Sequence, residues 1–302
     1  MLKKLAATLG VLAMAGGAAG WVLTAPQPLP EAALASLPTG DAARGEVMFW
    51  AGGCASCHAA PGAKGDDKLR LGGGLKLETP FGTFVAPNIS PQDGDGIGGW
   101  SNADFANAML AGVSPDGAHY YPAFPYASYA RMKPEDVSDL FAFMKTLPEV
   151  AGKASDHELG FPFNIRRGLG LWKLLNLSAE PVVAAPSGDV DTDAWQLGRY
   201  LVEGPGHCGE CHTPRDALGG LDKSQWLAGA PAATGDGKVP GLDAGSDAGG
   251  WSISDIAYYL ESGFTPEYDS VGGEMVPVQE NMAKLPAGHR EAIATYLTNL
   301  PK

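Results

Sequence analysis

The chain opens on one long apolar run. Lys3 and Lys4 precede a nearly unbroken apolar stretch from Leu5 to Leu23, about 19 residues, enough to span a bilayer as a helix. Pro26, Pro28, Pro30 and Pro38 then make 26–40 a stiff connection. Beyond it, apolar positions recur at helical spacing in short runs, separated by glycine-rich loops. Asp41 to Trp50 predicts a short helix. Ser101, with Asp104 three residues on, predicts a capped helix start, and Phe105, Ala108 and Met109 give that helix one apolar face. Pro134 opens a further helix, a position that tolerates proline; Leu140, Phe143 and Met144 form its inner side, and it stops at Leu147-Pro148.

The same pattern then recurs. Trp251-Ser252-Ile253-Ser254-Asp255-Ile256 matches Trp100-Ser101-Asn102-Ala103-Asp104-Phe105, and Ile256, Tyr259 and Leu260 restore the apolar face. Gly112 and Gly263 end the paired helices, followed by Pro115-Asp116 and Pro266-Glu267. Pro286, Ile293, Tyr296, Leu297 and a closing Leu300-Pro301 repeat the terminal helix. A preserved order of elements at a nearly constant offset is an internal duplication. It predicts an all-α fold of two tandem domains, 41–150 and 191–302, joined by a linker over 151–190. Nothing suggests an extensive sheet. The 302 residues suit two domains of about 100–150 residues each. The net charge of −13 argues against nucleic acid as a partner, because like charges repel.

Two segments outside the repeat carry two readings each. Residues 1–25 read as an uncleaved anchor, with the lysines inside and Trp21 at the far interface. The other reading is a cleaved signal peptide, with Ala18 and Ala19 as the small residues of its cleavage site. Within 151–190, Phe161-Pro162-Phe163 leads into Arg166, Arg167, Leu169, Leu171, Trp172, Lys173, Leu174 and Leu175. That basic, aromatic and apolar patch is either a clamp between the domains or an amphipathic segment resting on a membrane or a partner.

Each half carries one further signal: Cys54-Ala55-Ser56-Cys57-His58 and Cys208-Gly209-Glu210-Cys211-His212. These runs contain all four cysteines of the protein, so none is left for a disulfide. C-x-x-C-H is the attachment signal for c-type haem. Two thiols three positions apart on one helical turn reach the two vinyl groups of one porphyrin. The histidine that follows ligates the iron. A zinc site or a redox dithiol also uses C-x-x-C. Here, however, a histidine follows both times, and a thioredoxin-like βαβ context is absent. The chain therefore reads as a carrier of two covalent haems, attached through Cys54 and Cys57, and through Cys208 and Cys211. His58 and His212 are the axial ligands. The 42 glycines and 24 prolines suit domains whose loops wrap a cofactor. Haem attachment of this kind belongs outside the cytoplasm, in agreement with the topology that an anchor gives.

Longer stretches carry a resemblance. Ala86-Pro87-Asn88-Ile89, Gly96-Ile97-Gly98-Gly99-Trp100-Ser101, Tyr121-Pro122-Ala123-Phe124-Pro125-Tyr126 and Gly206 to Arg215 are similar to the membrane-anchored multi-haem cytochrome c subunits of periplasmic alcohol, gluconate and aldehyde dehydrogenases. The resemblance implies two tandem cytochrome c domains behind an N-terminal transmembrane helix, at the inner membrane on its periplasmic side. It implies electron transfer from a dehydrogenase catalytic subunit to quinone, a soluble cytochrome or a terminal oxidase. Many relatives carry three haem modules, where this chain has two. It also implies a methionine sixth ligand from the loop before each terminal helix. In the second half that is Met275, with Met282 as runner-up. In the first half many relatives place methionine where this chain has Phe124. Met132 is then the choice, in competition with a staple role at the helix start, and His119 is the alternative; Met109 and Met144 lie on apolar faces. Arg215 is a candidate partner for a haem propionate. Tyr120, Tyr121, Tyr126 and Trp100 are candidates to line the first pocket. The choice between Met132 and His119 keeps open a dihaem peroxidase-like enzyme with one open iron. A haem sensor ranks last, since no signalling domain is appended.

Overall fold

The structure, a computed structural model, describes residues 2–186, 190, 192–232, 237–243, 245–246 and 250–300. It is mostly helical. α1 runs Leu2–Leu23, although the side chains of Leu2, Lys3, Leu5, Ala6, Ala7, Val11 and Ala13 lie outside the described residues. Among the described residues no helix is long and apolar enough to cross a membrane. The anchor expected at 1–25 therefore rests on the sequence.

The first half contains α2 (Glu31–Ala35), α3 (Ala42–Ala51), α4 (Cys54–His58), α5 (Asn102–Ala106), α6 (Tyr126–Tyr129) and α7 (Pro134–Met144). The Asp41 side chain caps α3 by accepting from the amides of Ala43 and Arg44, at 2.9 and 3.0 Å. α5 begins with the expected capping box of Ser101 and Asp104. It runs on through a wider turn over 107–111 and stops at Gly112, whose φ of 60° suits glycine. α8 (Leu169–Asn176) lies in the linker. The second half repeats the scheme with α9 (Asp193–Glu203), α10 (Gly209–His212), α11 (Ile253–Ser262), α12 (Met275–Met282) and α13 (Ala287–Thr298). Ser252 and Asp255 form the matching capping box, and Gly263 the matching stop.

In each half the helix before the attachment turn crosses the last helix closely, α3 on α7 and α9 on α13. A glycine makes each crossing possible. A Cβ on Gly45 would fall 1.9 Å from the carbonyl oxygen of Asp139, and one on Gly198 would fall 1.9 Å from that of Ala292. Around these crossings Phe49, Val137 and Leu140 are buried in one half, and Trp195, Val202 and Tyr296 in the other. The core is thus built twice from the same contact.

Two small hairpins depart from the sequence expectation. β1 (Lys76–Thr79) pairs antiparallel with β2 (Gly82–Val85), in register from Lys76↔Val85 to Thr79↔Gly82. β3 (Ala230–Pro231) pairs briefly with β4 (Lys238–Val239). The linker joins the first hairpin: Thr83 and Glu158 exchange backbone hydrogen bonds of 3.0 and 2.9 Å, and the Val85 amide donates to His157 Nδ1 at 3.1 Å.

Further along, the linker grips several elements. Lys173 Nζ donates to the carbonyls of Ala111 and Gly112, at 2.7 and 2.6 Å. Trp172 Nε1 donates to the Leu218 carbonyl at 3.1 Å. The buried Glu203 carboxylate accepts from the amides of Val182 and Val183 at 2.6 and 3.0 Å, and from Tyr296 Oη at 2.8 Å. Arg166, beside Tyr121, donates to the His119 carbonyl, and Tyr126 packs against Trp172 and Lys173. Tyr121 and Tyr126 thus both pack against the linker.

Candidate haem-attachment turns

Each Cys-x-x-Cys-His run forms a single helical turn. Cys54 to His58 make up α4; Cys208 is the N-cap of α10, which ends at His212. Residues three apart share a face of such a turn, so each cysteine pair is presented together with its histidine next in line. The preceding residues have positive φ, 59° at Gly53 and 38° at His207. The second lacks glycine's freedom. Its imidazole Nε2 instead lies 3.2 Å from the Gly52 carbonyl, and its ring meets Tyr129 edge-on at 5.6 Å.

The two histidines are held alike. His58 Nδ1 lies 2.8 Å from the Pro87 carbonyl and His212 Nδ1 lies 2.7 Å from that of Pro240. A prolyl carbonyl only accepts, so Nδ1 carries the proton and the Nε2 lone pair is left for a metal. Burial lowers the pKa of both imidazoles, against the raising effect of those carbonyl bonds; both are neutral, the ligating form. The surrounding loops match as well. The carbonyl of His58 accepts from Gly73 at 2.7 Å and that of His212 from Gly229 at 2.8 Å. Ile89 donates to Leu71 at 3.0 Å and Leu242 to Leu227 at 2.7 Å. Such an outer hydrogen bond fixes the tautomer and orientation of a ligating histidine, and the donor set fits a haem iron.

The thiols do not fit the other uses of C-x-x-C. Burial pushes Cys54 and Cys208 up to about 12, opposite to the lowered pKa of a reactive dithiol. Among the described residues no three His, Cys, Asp or Glu side chains converge as a metal cluster.

A pair of bonds ties each turn to the opposite half. Ser56 and Glu210 hold the same place in their motifs. Asn281 Nδ2 donates to Ser56 Oγ at 2.7 Å, and Ser128 Oγ donates to Glu210 Oε1 at 2.8 Å. Asn281 sits on α12 and Ser128 on α6, the short helices before the two terminal helices. Each turn therefore bonds to the other half at the corresponding position, as in a two-fold interface. Both Ser128 and Asn281 are buried. The residues leading into the two turns also meet, with His207 Nε2 3.2 Å from the Gly52 carbonyl, so the turns are neighbours. Arg215 is engaged here. Its Nη2 reaches Glu210 Oε2 at 2.6 Å and the Glu210 carbonyl at 2.9 Å, and Nη1 donates to Gly219 at 2.8 Å.

The candidate sixth ligands lie in different settings. Met275 opens α12 and is partly buried. The bridges Val113↔His119 and Phe264↔Ser270 align the halves so that Phe124 takes the place of Met275. Met282 is buried in the core, as are Met109 and Met144. Met132 is buried where the other half has Leu285: Met132 donates to the Tyr129 carbonyl at 2.8 Å and Leu285 to that of Met282 at 3.1 Å. Its Cγ is 3.8 Å from where a Cβ of Gly204 would lie. His119 is buried, with Nε2 2.9 Å from the Thr24 carbonyl at the end of α1.

Sequence reasoning missed Pro87 and Pro240 as histidine partners. A proline follows each histidine at nearly the same interval, a legible signal. It also missed Ser56, Ser128, Glu210 and Asn281. Their side chains differ between the halves, so the repeat did not expose them.

A cytochrome c family profile matches residues 42–148. The chain is 52% identical over 301 residues to a dihaem c-type cytochrome of Cereibacter sphaeroides, covering 100% of this chain and 99% of that protein. It is 36% identical over 262 residues to the fructose dehydrogenase cytochrome subunit of Gluconobacter japonicus, covering 85% of this chain and 52% of that relative. It is 35% identical over 280 residues to the gluconate 2-dehydrogenase cytochrome c subunit of Pantoea cypripedii, covering 89% of this chain and 62% of that relative.

Proposed function

Because the chain belongs to the dihaem c-type cytochromes, we propose that it carries electrons from a periplasmic dehydrogenase to quinone, a soluble cytochrome or a terminal oxidase. It is an electron-transfer protein with two covalently attached haem c groups, and not itself the catalytic enzyme. Each haem supplies, when bound, a one-electron iron couple.

The protein's part is to hold, orient and shield. Cys54 and Cys57 attach one group and Cys208 and Cys211 the other, one in each of two tandem cytochrome c domains. His58 and His212 offer Nε2 while Pro87 and Pro240 keep Nδ1 occupied. Met275 closes the second iron. Met132 is assigned to the first over His119, whose Nε2 is bound to the Thr24 carbonyl at 2.9 Å. Arg215 steadies Glu210 and, through it, the bond to Ser128. Residues 1–25 anchor the chain in the inner membrane and leave the rest on the periplasmic side; the apolar run from Leu5 to Leu23 supports this.

The observation that carries the reading is the pair of reciprocal bonds, Ser56–Asn281 and Glu210–Ser128. They tie each attachment turn to the other half, as a relay between two docked domains requires. The dehydrogenases that relatives serve have different substrates, so the test is a screen. Membranes holding the protein are given alcohols, aldehydes, sugars and sugar acids in turn. At least one should reduce both haems, and inhibiting the terminal oxidase should keep them reduced. If no such substrate reduces either haem, the proposal fails.

A further inference from the structure

The linker helix α8 has its polarity reversed. Leu171, Leu174 and Leu175 lie at helical spacing on its outer face and are 55, 62 and 73% exposed, while Lys173 on the inner face is 8% exposed. A helix packed on a protein core does the opposite. Just before it in the chain, Phe161, Phe163 and Ile165 are exposed as well. Exposed large apolar residues gathered in one short segment mark an interaction site.

Two observations say what covers it. The first is charge. In a protein of net charge −13, this segment holds Arg166, Arg167 and Lys173. Among the described residues none of the three pairs with a carboxylate; they donate to the His119 carbonyl, to Thr24 Oγ1, and to the carbonyls of Ala111 and Gly112. Lys173 is turned inward, but Arg166 is exposed and Arg167 half-buried, so the charge of the two arginines is left to an outside anion. The second is position. The same segment grips the end of α1. A Cβ on Gly170 would lie 2.5 Å from Thr24 Cα, and the Arg167 guanidinium sits 4.1 Å over the Trp21 ring while donating to the Trp21 carbonyl. The apolar face therefore adjoins the place where the apolar helix leaves the folded body, and Trp21, Val22 and Leu23 beside it are also exposed.

We infer that residues 161–175 form a bilayer-surface contact. The leucines and aromatic rings enter the headgroup boundary, and Arg166 and Arg167 lie level with lipid phosphates. This rests on the anchor reading of α1.

The test uses the full haem-loaded chain reconstituted into vesicles that contain a photoactivatable phospholipid. The vesicles are made of phosphatidylcholine, with or without phosphatidylglycerol. Lipid adducts are mapped by peptide mass spectrometry. Adducts are expected on both α1 and 161–175, with the latter increased several-fold by phosphatidylglycerol and reduced again by high salt. Replacing Leu171, Leu174 and Leu175 together by Glu should remove the adducts on 161–175 at least several-fold, leaving those on α1 and the haem spectrum unchanged. Adducts on α1 alone in the unaltered protein would overturn the surface contact and leave the anchor standing. Adducts on neither segment would overturn both.

Discussion

The glycine at each helix crossing permits a test whose sign is decided by geometry. Gly198→Ala adds one methyl group on α9. That atom would lie 1.9 Å from the carbonyl oxygen of Ala292, 2.6 Å from its carbonyl carbon and 2.8 Å from Tyr296 Cβ. Ordinary contact begins near 3.4 Å, so the two helices must separate by more than an ångström. The obstruction is backbone, and no side-chain rotation relieves it. Moving α9 off α13 disturbs Trp195 and Tyr296, both fully buried, and the 2.8 Å bond from Tyr296 to Glu203. Overpacking of this kind costs about 1–3 kcal/mol. The helix-propensity gain of alanine over glycine, about 1 kcal/mol, opposes it. With a backbone clash on this scale, a net loss of about 2 kcal/mol is expected. For a domain of this size that corresponds to a Tm drop of roughly 8–16 °C. The measurement is thermal unfolding of the haem-loaded protein followed by far-UV circular dichroism. Gly288→Ala on α13 is the control. Nothing lies within 4 Å of its added methyl group, so its Tm should hold or rise slightly. If Gly198→Ala is neutral or stabilising, the close crossing is wrong.

Three more outcomes are expected. Ser128→Ala and Asn281→Ala each remove one bond between the halves and should cost about 1–2 kcal/mol in denaturant unfolding; each should also change the separation of the two haem midpoint potentials, and unchanged potentials would refute the coupling of the turns. Met132→Ala and Leu285→Ala occupy twin positions and should lose similar stability. Only Met132→Ala should also abolish the weak sulfur-to-iron absorption of the first haem and lower its potential, and an unchanged spectrum would reduce Met132 to packing. Lys173 has its pKa lowered by burial from 10.5 to about 8. The unfolded chain therefore holds more protons between those values, and this group's contribution to stability rises with pH from about 8 to 10.5. Lys173→Met should flatten the Tm difference between the ends of that window; an identical profile in both proteins would refute it.

Much of the fold was legible because the duplication reads twice. Ser101 and Ser252 with their acids marked helix starts, Gly112 and Gly263 marked stops, and the terminal helices showed their apolar faces. The attachment turns were legible because their chemistry fixes the spacing. The hairpin over 76–85 was missed. Its alternation around Pro80 and Phe81 is short, and the glycine-rich surroundings made it read as loop. The α8 reversal was half legible: the basic and apolar residues were visible, but only packing shows that Lys173 turns inward and the leucines outward. Gly45 and Gly198 gave no warning, because a glycine inside a helix declares nothing about what approaches it.

The reciprocal bonds between the halves also bear on the order of assembly. Each bond needs a side chain from both halves, Ser56 with Asn281 on α12 and Glu210 with Ser128 on α6. Asn281 follows Ser56 by 225 residues, so the growing chain completes its first attachment turn long before that partner exists. Ser128 likewise waits 82 residues for Glu210. The first half therefore has to hold its own shape through its α3–α7 crossing until the second half is made, and the seam can only close last.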